Sequence, residues 1–495
     1  MATAAWVSLG EAMRSPLSMH RFVRWTIALG TLALLGAVIA SAAAVMRAGV
    51  PPRLLGPYLQ WRSSGHNPLI ETTGRLAGEL LVWLDRGAVI PRLDWPTWVR
   101  PLASVEAHRG VRDVLVSDVQ QLRAALHGAQ PGDVITIAPG RYRVAGGSLA
   151  VDRAGRADAP ITVRAPRAGL AILEFDVIEG FHVRAPHWVF ENLLIQGVCA
   201  DHGDCEHAFH VVGAATETVI RNNELREFNA HIKINGDGTR YPDGGQVANN
   251  RIFNTAPRRT ENPVTPIDLV AASDWIVQGN LIADFVKDGS DRTSYGAFAK
   301  GGGTGNRFER NVVLCEHRLR GSPGRRVGLS FGGGGSNASS CRGGQCTSEH
   351  DLGMMRDNLV ASCSDAGVYL NRAVNSRLEH NTLLDTAGIQ TRSAGELLFM
   401  ANLVDGPLRI DGETFLTQRD SHSSALPALY LGMRTVRSLF ADPGSLDLRW
   451  AATGPALSAA HPAVTDLCGN VVEARRLAGA FEDIGRCRGT EGASR

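Results

Sequence analysis

Short runs of alternating apolar and polar residues fill most of the chain, and eight of them share one form. Each has apolar residues, then an asparagine, then in most cases further apolar residues, as in VFENLLI, IVQGNLI and LEHNTLL. The shared asparagines are Asn192, Asn223, Asn250, Asn280, Asn311, Asn358, Asn381 and Asn402, spaced by 31, 27, 30, 31, 47, 23 and 21 residues. Short β-rich runs at such a period indicate a solenoid. We predict an all-β fold, a right-handed parallel β-helix with one repeat per coil.

The repeated asparagines have a structural role in this interpretation. An asparagine at a coil corner accepts left-handed backbone geometry, and stacked side-chain amides pass hydrogen bonds from coil to coil. A helical repeat is the alternative, but the runs lack an i, i+3, i+4 apolar stripe. We therefore expect Asn280 and Asn311 to be internal and satisfied by neighbouring coils.

An amphipathic helix precedes the first repeats. Ser117 is a suitable N-cap for Asp118–His127, whose Leu122 and Leu126 fall on one face. Strand patterns follow at Val134–Ile137 and around 159–165. A helix at this position would cap the open edge of the first coil.

The N-terminal region carries a targeting signal. Residues 25–46 contain no charged residue, and Arg14, Arg21 and Arg24 precede them. That length spans a bilayer, and the preceding arginines predict that residues 1–24 form a cytoplasmic tail. A cleaved signal peptide is the alternative, because Ala40-Ser41-Ala42 resembles a cleavage site. Either way the rest of the chain is exported, and we expect a single-pass inner-membrane protein with a periplasmic or other extracytoplasmic β-helix.

Three further segments complete the predicted organisation. Residues 47–115 form a juxtamembrane linker with a helical stripe in 69–84, residues 116–485 form the β-helix, and residues 486–495 form a C-terminal tail. Trp83, Trp95 and Trp98 either rest at the membrane interface or pack against the solenoid.

Charge and cysteine content narrow the class of protein. The formal net charge of +2 gives no bulk attraction to nucleic acid, so no nucleic-acid partner is expected. Eight cysteines all follow the apolar segment, which in an exported chain suggests disulfides, with free buried thiols as the alternative. Local spacing and matching offsets from the asparagines predict the pairs Cys199–Cys205, Cys315–Cys363, Cys341–Cys346 and Cys468–Cys487.

A second strand pattern follows several of the asparagine runs, as in Ile232-Lys233-Ile234-Asn235. Its first and third residues are mostly apolar, so the second and fourth point outward. Stacked coils then present two outward columns. The first column is Lys233, Asp268, Phe298, Ser330, Tyr369, Gln390 and Arg409, and the second column is Asn235, Val270, Lys300, Gly332, Asn371, Arg392 and Asp411. A saccharide chain fits across such a face, and Lys233, Asn235, Asp268, Asn371 and Arg409 are the predicted substrate-binding residues.

The stretch VSDVQQLRAALHGAQPGDVITIAPGRYR, followed by APITVRAP, resembles the opening of the chondroitinase-B and alginate-lyase family of β-helix polysaccharide lyases. The tail GAFED resembles the closing coil of such proteins. The resemblance covers roughly residues 116–482. It implies a β-helix that cleaves an acidic polysaccharide by β-elimination.

Lys300 lies at a position similar to that of the family's lysine base, which removes the proton alpha to a uronate carboxylate. A lysine between apolar neighbours has the lowered pKa that this role needs; the alternative is an exposed strand lysine held by Asp268. The family's arginine is missing from 327–333, and Thr293-Ser294-Tyr295 stands where its acidic calcium ligands are expected. Calcium is therefore implied by the resemblance without matching ligands, and no cofactor or metal site is assigned. From column geometry, Tyr369 is the candidate acid, and Arg392 or Arg409 would neutralise a carboxylate.

Other polar clusters are weaker signals. His202, His207 and His210 lie among acidic residues in a loop that Cys199–Cys205 would close. A polar loop is the simpler interpretation, and a metal site is the alternative. Cys315-Glu316-His317 and Ser348-Glu349-His350 are interpreted as solvated turn residues, with a metal site or an acid/base pair as the alternative.

The pattern favours an acidic-polysaccharide lyase anchored in the membrane through its N-terminal helix. A non-catalytic polysaccharide-binding or envelope-scaffold protein is the second hypothesis. A hydrolase is the third, because Asp268 and Asp411 are far apart in column order, unlike a carboxylate pair across one bond.

Overall fold

The computed structural model of the protein describes residues 16–99, 102, 110–457, 464–472 and 476–487. The chain divides into two units, residues 1–50 and residues 51–495. Most of the predicted tails, residues 1–15 and 488–495, lie outside the described residues. The predicted boundaries at residues 47, 116 and 486 stay predictions.

The first unit contains helix α1 (Pro16–Arg47). Its segment Val23–Arg47 is long and apolar enough to cross a membrane, and none of it is buried. A signal sequence has the same properties, so the helix agrees with both alternatives for this segment.

The second unit is built from three long parallel sheets that share its coils. In the described residues, sheet A has the strands Arg112–Val116, Asp133–Ile137, Ile161–Arg164, Trp188–Glu191, Val219–Arg221, Gln246–Ala248, Ile276–Gln278, Arg307–Glu309, Met354–Arg356, Ser376–Glu379, Gly395–Met400 and Thr414–Arg419. Sheet B has Gly140–Ala145, Ala171–Asp176, Leu194–Gly197, Glu224–Arg226, Arg251–Phe253, Leu281–Ala283, Val312–Leu314, Leu359–Ala361, Thr382–Leu384, Leu403–Val404 and His422–Ser423. Sheet C has Leu149–Val151, Glu179–Val183, His207–Val212, Ile232–Asn235, Ile267–Val270, Thr293–Lys300, Arg325–Phe331, Val368–Asn371, Ile389–Arg392 and Leu408–Arg409.

Three short sheets complete the strands described. Gly303–Thr304, His350–Asp351 and Ala373–Val374 form a parallel sheet beside the main coils. Phe440–Asp442 pairs with Asp447–Trp450, and Val464–Thr465 pairs with Val471–Val472, both antiparallel.

Each coil runs from sheet A to sheet B to sheet C and then into sheet A of the next coil. The interior is a continuous core of aliphatic and aromatic side chains, including the fully buried Trp188, Phe209, Trp275 and Phe331. The predicted fold class, a parallel β-helix with an N-terminal capping helix, is confirmed.

Seven of the eight asparagines form a ladder at the corner between sheets A and B. From Asn223 to Asn402, each side-chain amide donates to the side-chain oxygen of the next asparagine at 2.9–3.1 Å. Each amide also donates to a main-chain carbonyl of the preceding coil, as Asn280 does to Val247 at 2.9 Å. The ladder asparagines are therefore internal and satisfied, as predicted.

The left-handed backbone lies elsewhere than predicted. It falls on the residue before each ladder asparagine, such as Asn249 (φ 55°) and Arg310 (φ 52°). Asn192 itself adopts this conformation (φ 63°) because it stands one position earlier, and Leu193 takes the ladder register against Asn223. The left-handed residue and the ladder residue occupy adjacent positions of one corner. An asparagine suits either position, so the sequence pattern does not distinguish them.

Helix α4 (Val119–His127) covers the first coil with Leu122 and Leu126 buried. Its N-cap is Asp118, whose carboxylate accepts from the main-chain nitrogen of Gln121 at 2.7 Å. The predicted cap at Ser117 is wrong by one residue, because the Ser117 main chain and hydroxyl bind the Gln121 side chain instead.

A helical hairpin, α2 (Pro52–Ser63) and α3 (Pro68–Arg86), precedes the coils. The two helices approach closely through glycines, since a Cβ on Gly56 would lie 2.6 Å from the carbonyl oxygen of Gly78. The outer face of α3 is apolar and exposed, with Leu76 54% and Trp83 58% accessible. Trp98 is buried, and its ring nitrogen donates to Leu446, so this tryptophan packs against the folded unit.

The C-terminal segment, which includes helix α5 (Leu426–Tyr430), turns back along the solenoid. Phe481 and Ile484 are buried in one cluster with outward residues of sheet B such as Leu384 and Leu403. The GAFED tail is thus packed on sheet B, and the main-chain nitrogen of Gly479 donates to Ala401. The tail therefore does not form a closing coil, although its sequence resembles one.

All eight cysteines are paired, and the four predicted disulfides Cys199–Cys205, Cys315–Cys363, Cys341–Cys346 and Cys468–Cys487 are confirmed. Cys315–Cys363 joins adjacent coils, with a Cα–Cα distance of 4.8 Å. Disulfides of this kind agree with folding outside a reducing compartment.

Candidate functional site

A cleft of about 500 Å³ lies on the outer face of sheet C. Its floor contains Lys233, Asp268, Phe298 and Lys300. Its walls are loops that leave the coils around residues 236–241, 263–265, 287–293 and 334–341. The sheet fixes the floor residues, while the loops shape the opening.

Strand register brings the predicted columns together. Lys233 lies opposite Asp268, Asp268 opposite Phe298, and Phe298 opposite Ser330. The first column continues through Tyr369 and Gln390 to Arg409. In the second column, Asn235 lies opposite Val270, Val270 opposite Lys300, and Asn371 opposite Arg392. The side chains assigned from alternation alone therefore share one face.

Asp268 is held by Lys233, with 2.7 Å between the ammonium nitrogen and a carboxylate oxygen. The other carboxylate oxygen of Asp268 is buried without a hydrogen-bond partner. A second pair, Lys287 and Asp291 at 3.4 Å, lies in the wall of the cleft. The cleft thus contains three lysines and two aspartates. Among the described residues, Lys300 is the cleft lysine that forms no salt bridge with a carboxylate.

Lys300 donates to the carbonyl of Gly335 at 3.1 Å and lies 4.8 Å above the centre of the Phe298 ring. Burial lowers its pKa; Asp268 acts in the opposite direction, and Lys233 lowers the pKa further. The alternative in which Asp268 holds Lys300 does not apply, because Asp268 binds Lys233 directly. Arg392, which belongs to the same outward column, is exposed and is not among the groups that shift this pKa.

Tyr295 brings a phenol into the same cleft. Its ring packs edge-on against Phe298, with 5.5 Å between ring centres. Burial raises the pKa of Tyr295 to about 12, so the phenol stays protonated at neutral pH. Phe298 thus contacts both Tyr295 and Lys300, so a phenol and an amine lie near each other in the cleft.

Asn235 also lines the cleft, whereas the predicted residues Tyr369, Asn371, Arg392 and Arg409 lie outside its lining. Tyr369 is two strands beyond Phe298 in the first column, roughly 10 Å along the face. Asn371 is buried, and its amide donates to Gly333 at 3.1 Å, which supports the glycine-rich loop. Arg409 donates to the side chain of Gln390. The roles predicted for these residues and for Arg392 stay predictions.

The glycine-rich loop over the cleft is anchored by charged groups and by Cys341–Cys346. Arg342 forms a salt bridge with Asp243, and its guanidinium lies 4.3 Å from the Tyr241 ring centre. Glu349 is fully buried and accepts from the main-chain nitrogens of Ser336 and Gly301 at 2.9 and 3.2 Å.

The prediction that Glu349-His350 and Glu316-His317 are solvated turns is wrong, because all four side chains are buried. Glu316 binds the buried Arg326 at 2.8 Å, and His317 stacks on Trp95. Each of the two pairs lies where a strand meets a long loop. There a buried carboxylate accepts hydrogen bonds from main-chain nitrogens or from an arginine side chain.

The cleft residues do not fit calcium. Calcium takes six to eight oxygen ligands, usually with several carboxylates. The two carboxylates of the cleft, on Asp268 and Asp291, are each held by a lysine, and Thr293 lines the wall where acidic ligands were expected. The ammonium groups of Lys233 and Lys287 in the same space oppose a divalent cation. No step of the chemistry is therefore assigned to calcium.

Several cleft residues are not predicted by the repeat pattern of the sequence. Tyr241, Lys287, Asp291 and Tyr295 reach the cleft from loops or from the start of a strand, outside the four-residue pattern that defines the columns. For Tyr295 a signal existed, because it stands in the place where family ligands were sought. The other three depend on loop conformation.

Comparison with known proteins supports the fold. No protein-family profile matches the chain. Pectate lyase L of Dickeya chrysanthemi is 28% identical over 229 residues, which is 40% of this chain and 52% of that protein. Pectate lyase L of Dickeya dadantii (strain 3937) matches at the same identity and extent. The chain thus spans about half the length of the curated relatives it matches.

Among solved structures, pectate lyase Pel9A superposes with a TM-score of 0.51 at 12% identity, covering 76% of this chain and 97% of that one. At such a low sequence identity, the match shows that the two folds are similar and does not indicate a shared activity. The resemblance to β-helix polysaccharide lyases that the opening motif indicates is confirmed: the chain is a polysaccharide lyase-like parallel β-helix.

Proposed function

We propose that the protein binds an acidic polysaccharide in the sheet C cleft and cleaves it by β-elimination, with Lys300 as the base. One observation carries this proposal. Lys300 is the cleft lysine without a carboxylate partner among the described residues, and burial lowers its pKa. A neutral amine is the form that accepts a proton.

The charge of the cleft agrees with a uronate polymer. With Lys300 protonated, the three cleft lysines exceed the charge of Asp268 and Asp291, so the cleft attracts a sugar carboxylate. Once Lys300 is neutral and acts as the base, the ammonium groups of Lys233 and Lys287 are available to stabilise the carboxylate as its alpha carbon loses a proton. The similarity to pectate lyase L supports the same substrate class.

The reaction balances with residues of this face. The Lys300 amine takes the proton alpha to the carboxylate, and the electron pair forms a double bond to the neighbouring carbon. The bond from that carbon to the glycosidic oxygen breaks. A phenol, from Tyr295 in the cleft or from Tyr369 further along the column, donates a proton to the leaving oxygen.

The test is to incubate the purified protein with pectate, alginate and other uronate polymers and to follow the ultraviolet absorbance of an unsaturated product. Lys300→Ala and Lys300→Arg should both abolish product formation. The arginine variant keeps the charge but removes the base, so it separates catalysis from binding. Full activity in either variant would exclude Lys300 as the base.

Calcium supplies a further arm of this test. Adding calcium to metal-free protein should leave turnover unchanged, because the cleft carboxylates are held by lysines. Strict dependence of cleavage on calcium would contradict the lysine-based stabilisation of the substrate.

Binding without cleavage is a second candidate function. The observation that favours it is the absence of an arginine from residues 327–333, one coil beyond Lys300; the two arginines of that strand, Arg325 and Arg326, precede this stretch. A binding protein would migrate more slowly in an affinity gel that contains the polymer, but it would release no unsaturated product. Lys300→Ala would then weaken binding only modestly.

We further propose that α1 anchors the protein in the inner membrane, with residues after 50 outside the cytoplasm. The four disulfides support an oxidising compartment, and the exposed apolar face of α3 suits a position near lipid. An alkaline phosphatase fused after residue 110 should be active, and extraction of the full chain should need detergent. An inactive fusion would contradict the orientation, and release by salt would contradict the anchor.

A further inference from the structure

Glu179, His182 and His210 form a compact group on the outer face of sheet C, one strand from the cleft. Their potential ligand atoms all lie within 4.8 Å of one another. The Nδ1 atom of His210 is 2.8 Å from one Glu179 oxygen, and the Nδ1 atom of His182 is 3.5 Å from the other. The two imidazole rings stack with centres 5.2 Å apart because their residues pair across adjacent strands. Two nitrogens and a carboxylate thus converge on one point.

The hydrogen bonds of His210 indicate which ring nitrogen carries the hydrogen in the neutral ring. The Asn235 amide nitrogen donates to the Gly236 carbonyl at 2.9 Å, so the Asn235 side-chain oxygen faces His210. That oxygen only accepts, and it lies 2.8 Å from Nε2 of His210, so Nε2 carries a hydrogen. In the neutral ring, Nδ1 then points a lone pair at the Glu179 carboxylate. Two acceptors face each other at 2.8 Å, and either a proton or a cation that lies to one side and binds both atoms resolves the conflict.

The same arrangement is typical of metal-bound histidine. A ligating imidazole usually donates its other ring nitrogen to an oxygen acceptor, which orients the ring and raises its basicity. Asn235 holds His210 in this way. The three side chains are 17–29% exposed, which leaves room for water or a ligand at a further coordination position.

We propose that Glu179, His182 and His210 bind a divalent transition-metal ion, with Zn²⁺ as the best-suited common ion. Two imidazoles and one carboxylate with an open position match zinc preferences. Calcium requires more oxygen ligands than this group offers. The site is separate from Lys300, and nothing in its chemistry depends on the cleft being catalytic.

The alternative is a protonated His210 that forms an ion pair with Glu179 without metal. In that case both ring nitrogens donate, and the geometry is satisfied by charge alone. The two cases differ in their response to added metal, because an ion pair gains nothing from Zn²⁺.

The test uses the full chain in detergent, stripped of metal and titrated with Zn²⁺ or Ca²⁺ by calorimetry at neutral pH. We expect one Zn²⁺ per chain, a rise in melting temperature on loading, and no comparable response to Ca²⁺. His210→Ala, His182→Ala and Glu179→Gln should each weaken zinc binding by 100-fold or more. Equal zinc affinity in these variants and the parent protein, or no zinc binding at all, would overturn the proposal.

Asn235 and His187 provide matched controls. Asn235→Ala should weaken zinc binding by about 10- to 100-fold, because it removes the acceptor that orients His210. Asn235→Asp keeps an oxygen acceptor and should restore much of the affinity. His187 also faces a single carboxylate, that of Glu217 at 3.3 Å, but has no second histidine beside it in the described structure. His187→Asn should leave zinc affinity unchanged, and a loss there would mean that the binding is non-specific.

The place of the group also suggests what the ion does, and this step rests on the proposed function. His210 pairs in register with Lys233, which lines the cleft, so a bound cation adds positive charge beside the path of an acidic polymer. In the non-cleaving Lys300→Ala protein, zinc should tighten binding of a uronate polymer, and the effect should vanish in Lys300→Ala/His210→Ala. If zinc does not change the affinity for the polymer, this role of the ion is wrong, but the metal site itself is unaffected. If the protein binds no polymer at all, the result contradicts the proposed function and not the metal site.

Discussion

Lys300 and Tyr295 show how single residues gain chemical character from their surroundings. Both line the cleft, and both contact Phe298. Burial disfavours charge on each, so it lowers the pKa of the ammonium and raises that of the phenol. A larger fraction of the amine is therefore neutral at a given pH, and the phenol keeps its proton.

The lowered pKa of Lys300 leads to a prediction about pH. The working form is the neutral amine, so turnover should rise with pH through the lysine pKa. The midpoint should lie below the ordinary lysine value of about 10.4. Initial rates on the preferred uronate polymer between neutral and alkaline pH would measure it. A rate that falls over this range would contradict a lysine base.

Tyr295 and Tyr369 lead to a second prediction. Tyr295 lines the cleft and keeps its proton, so Tyr295→Phe should lower turnover by about 10²–10⁴-fold with little effect on melting. Tyr369→Phe is the comparison, since it changes the same group two strands away. A large loss in Tyr369→Phe alone would place the leaving oxygen further along the column and would restore the assignment made from the sequence.

At the scale of elements, the asparagine ladder joins coils whose strands are only two to eight residues long. Each ladder asparagine binds its neighbours through side-chain oxygen and amide groups. These bonds are buried, where an unpaired amide is costly. The ladder therefore helps to fix the register that aligns the outward columns.

The ladder leads to a third prediction. Asn280→Leu leaves the Asn250 main-chain nitrogen and side-chain amide without their shared acceptor, so it should lower the free energy of unfolding by about 1–3 kcal/mol. Chemical denaturation of the domain would measure it. The control is Asn249→Gly, at an exposed corner position whose φ of 55° suits glycine. Equal stability of Asn280→Leu and the parent protein would mean that the ladder does not contribute to stability.

At the scale of the whole molecule, a buried ionic cluster joins the helical hairpin to the solenoid. Arg53 and Arg86 of the hairpin both bind Asp385, which follows a strand of sheet B. Arg320 also binds Asp385, and Arg53 binds Asp85 in α3. The hairpin is therefore part of the folded unit, held by charges that lie far apart in sequence.

Asp385 leads to a fourth prediction, about acid stability. Burial acts to raise its pKa, but the surrounding arginines outweigh burial and lower the pKa well below the ordinary value. A lowered carboxyl pKa contributes stability above the unfolded value of about 3.9, which is lost as pH falls through the folded pKa. Asp385→Asn should cost about 3–5 kcal/mol at pH 7, because arginines are left unpaired.

Denaturation at pH 7 and near pH 3 would check this expectation. The difference between Asp385→Asn and the parent protein should shrink at the lower pH. The exposed pair Arg75–Glu79 gives the control, since Glu79→Gln should change stability by less than about 0.5 kcal/mol. A difference that stays constant with pH would mean that the carboxylate charge does not carry the effect.

Fold and column register follow from local information in this chain. The asparagine spacing and the strand alternation were sufficient to predict coils, outward columns and the four disulfides, because neighbouring coils repeat the same few positions. The ladder also shows the limit of that reading. Asn192 fits the sequence pattern as well as Asn223 does, yet it takes the adjacent left-handed position, since both corner positions accept asparagine.

Periodic features can be predicted from the sequence alone: which residues face inward, which face outward, and which cysteines meet. The choice of partners among the outward side chains depends on the tertiary structure. Asp268 binds Lys233 rather than Lys300, Tyr295 enters the cleft, and Glu179 joins His182 and His210. These contacts depend on loop paths and on competition among several nearby charges. A period of one coil places side chains on a face, but it carries no information about which of them meet.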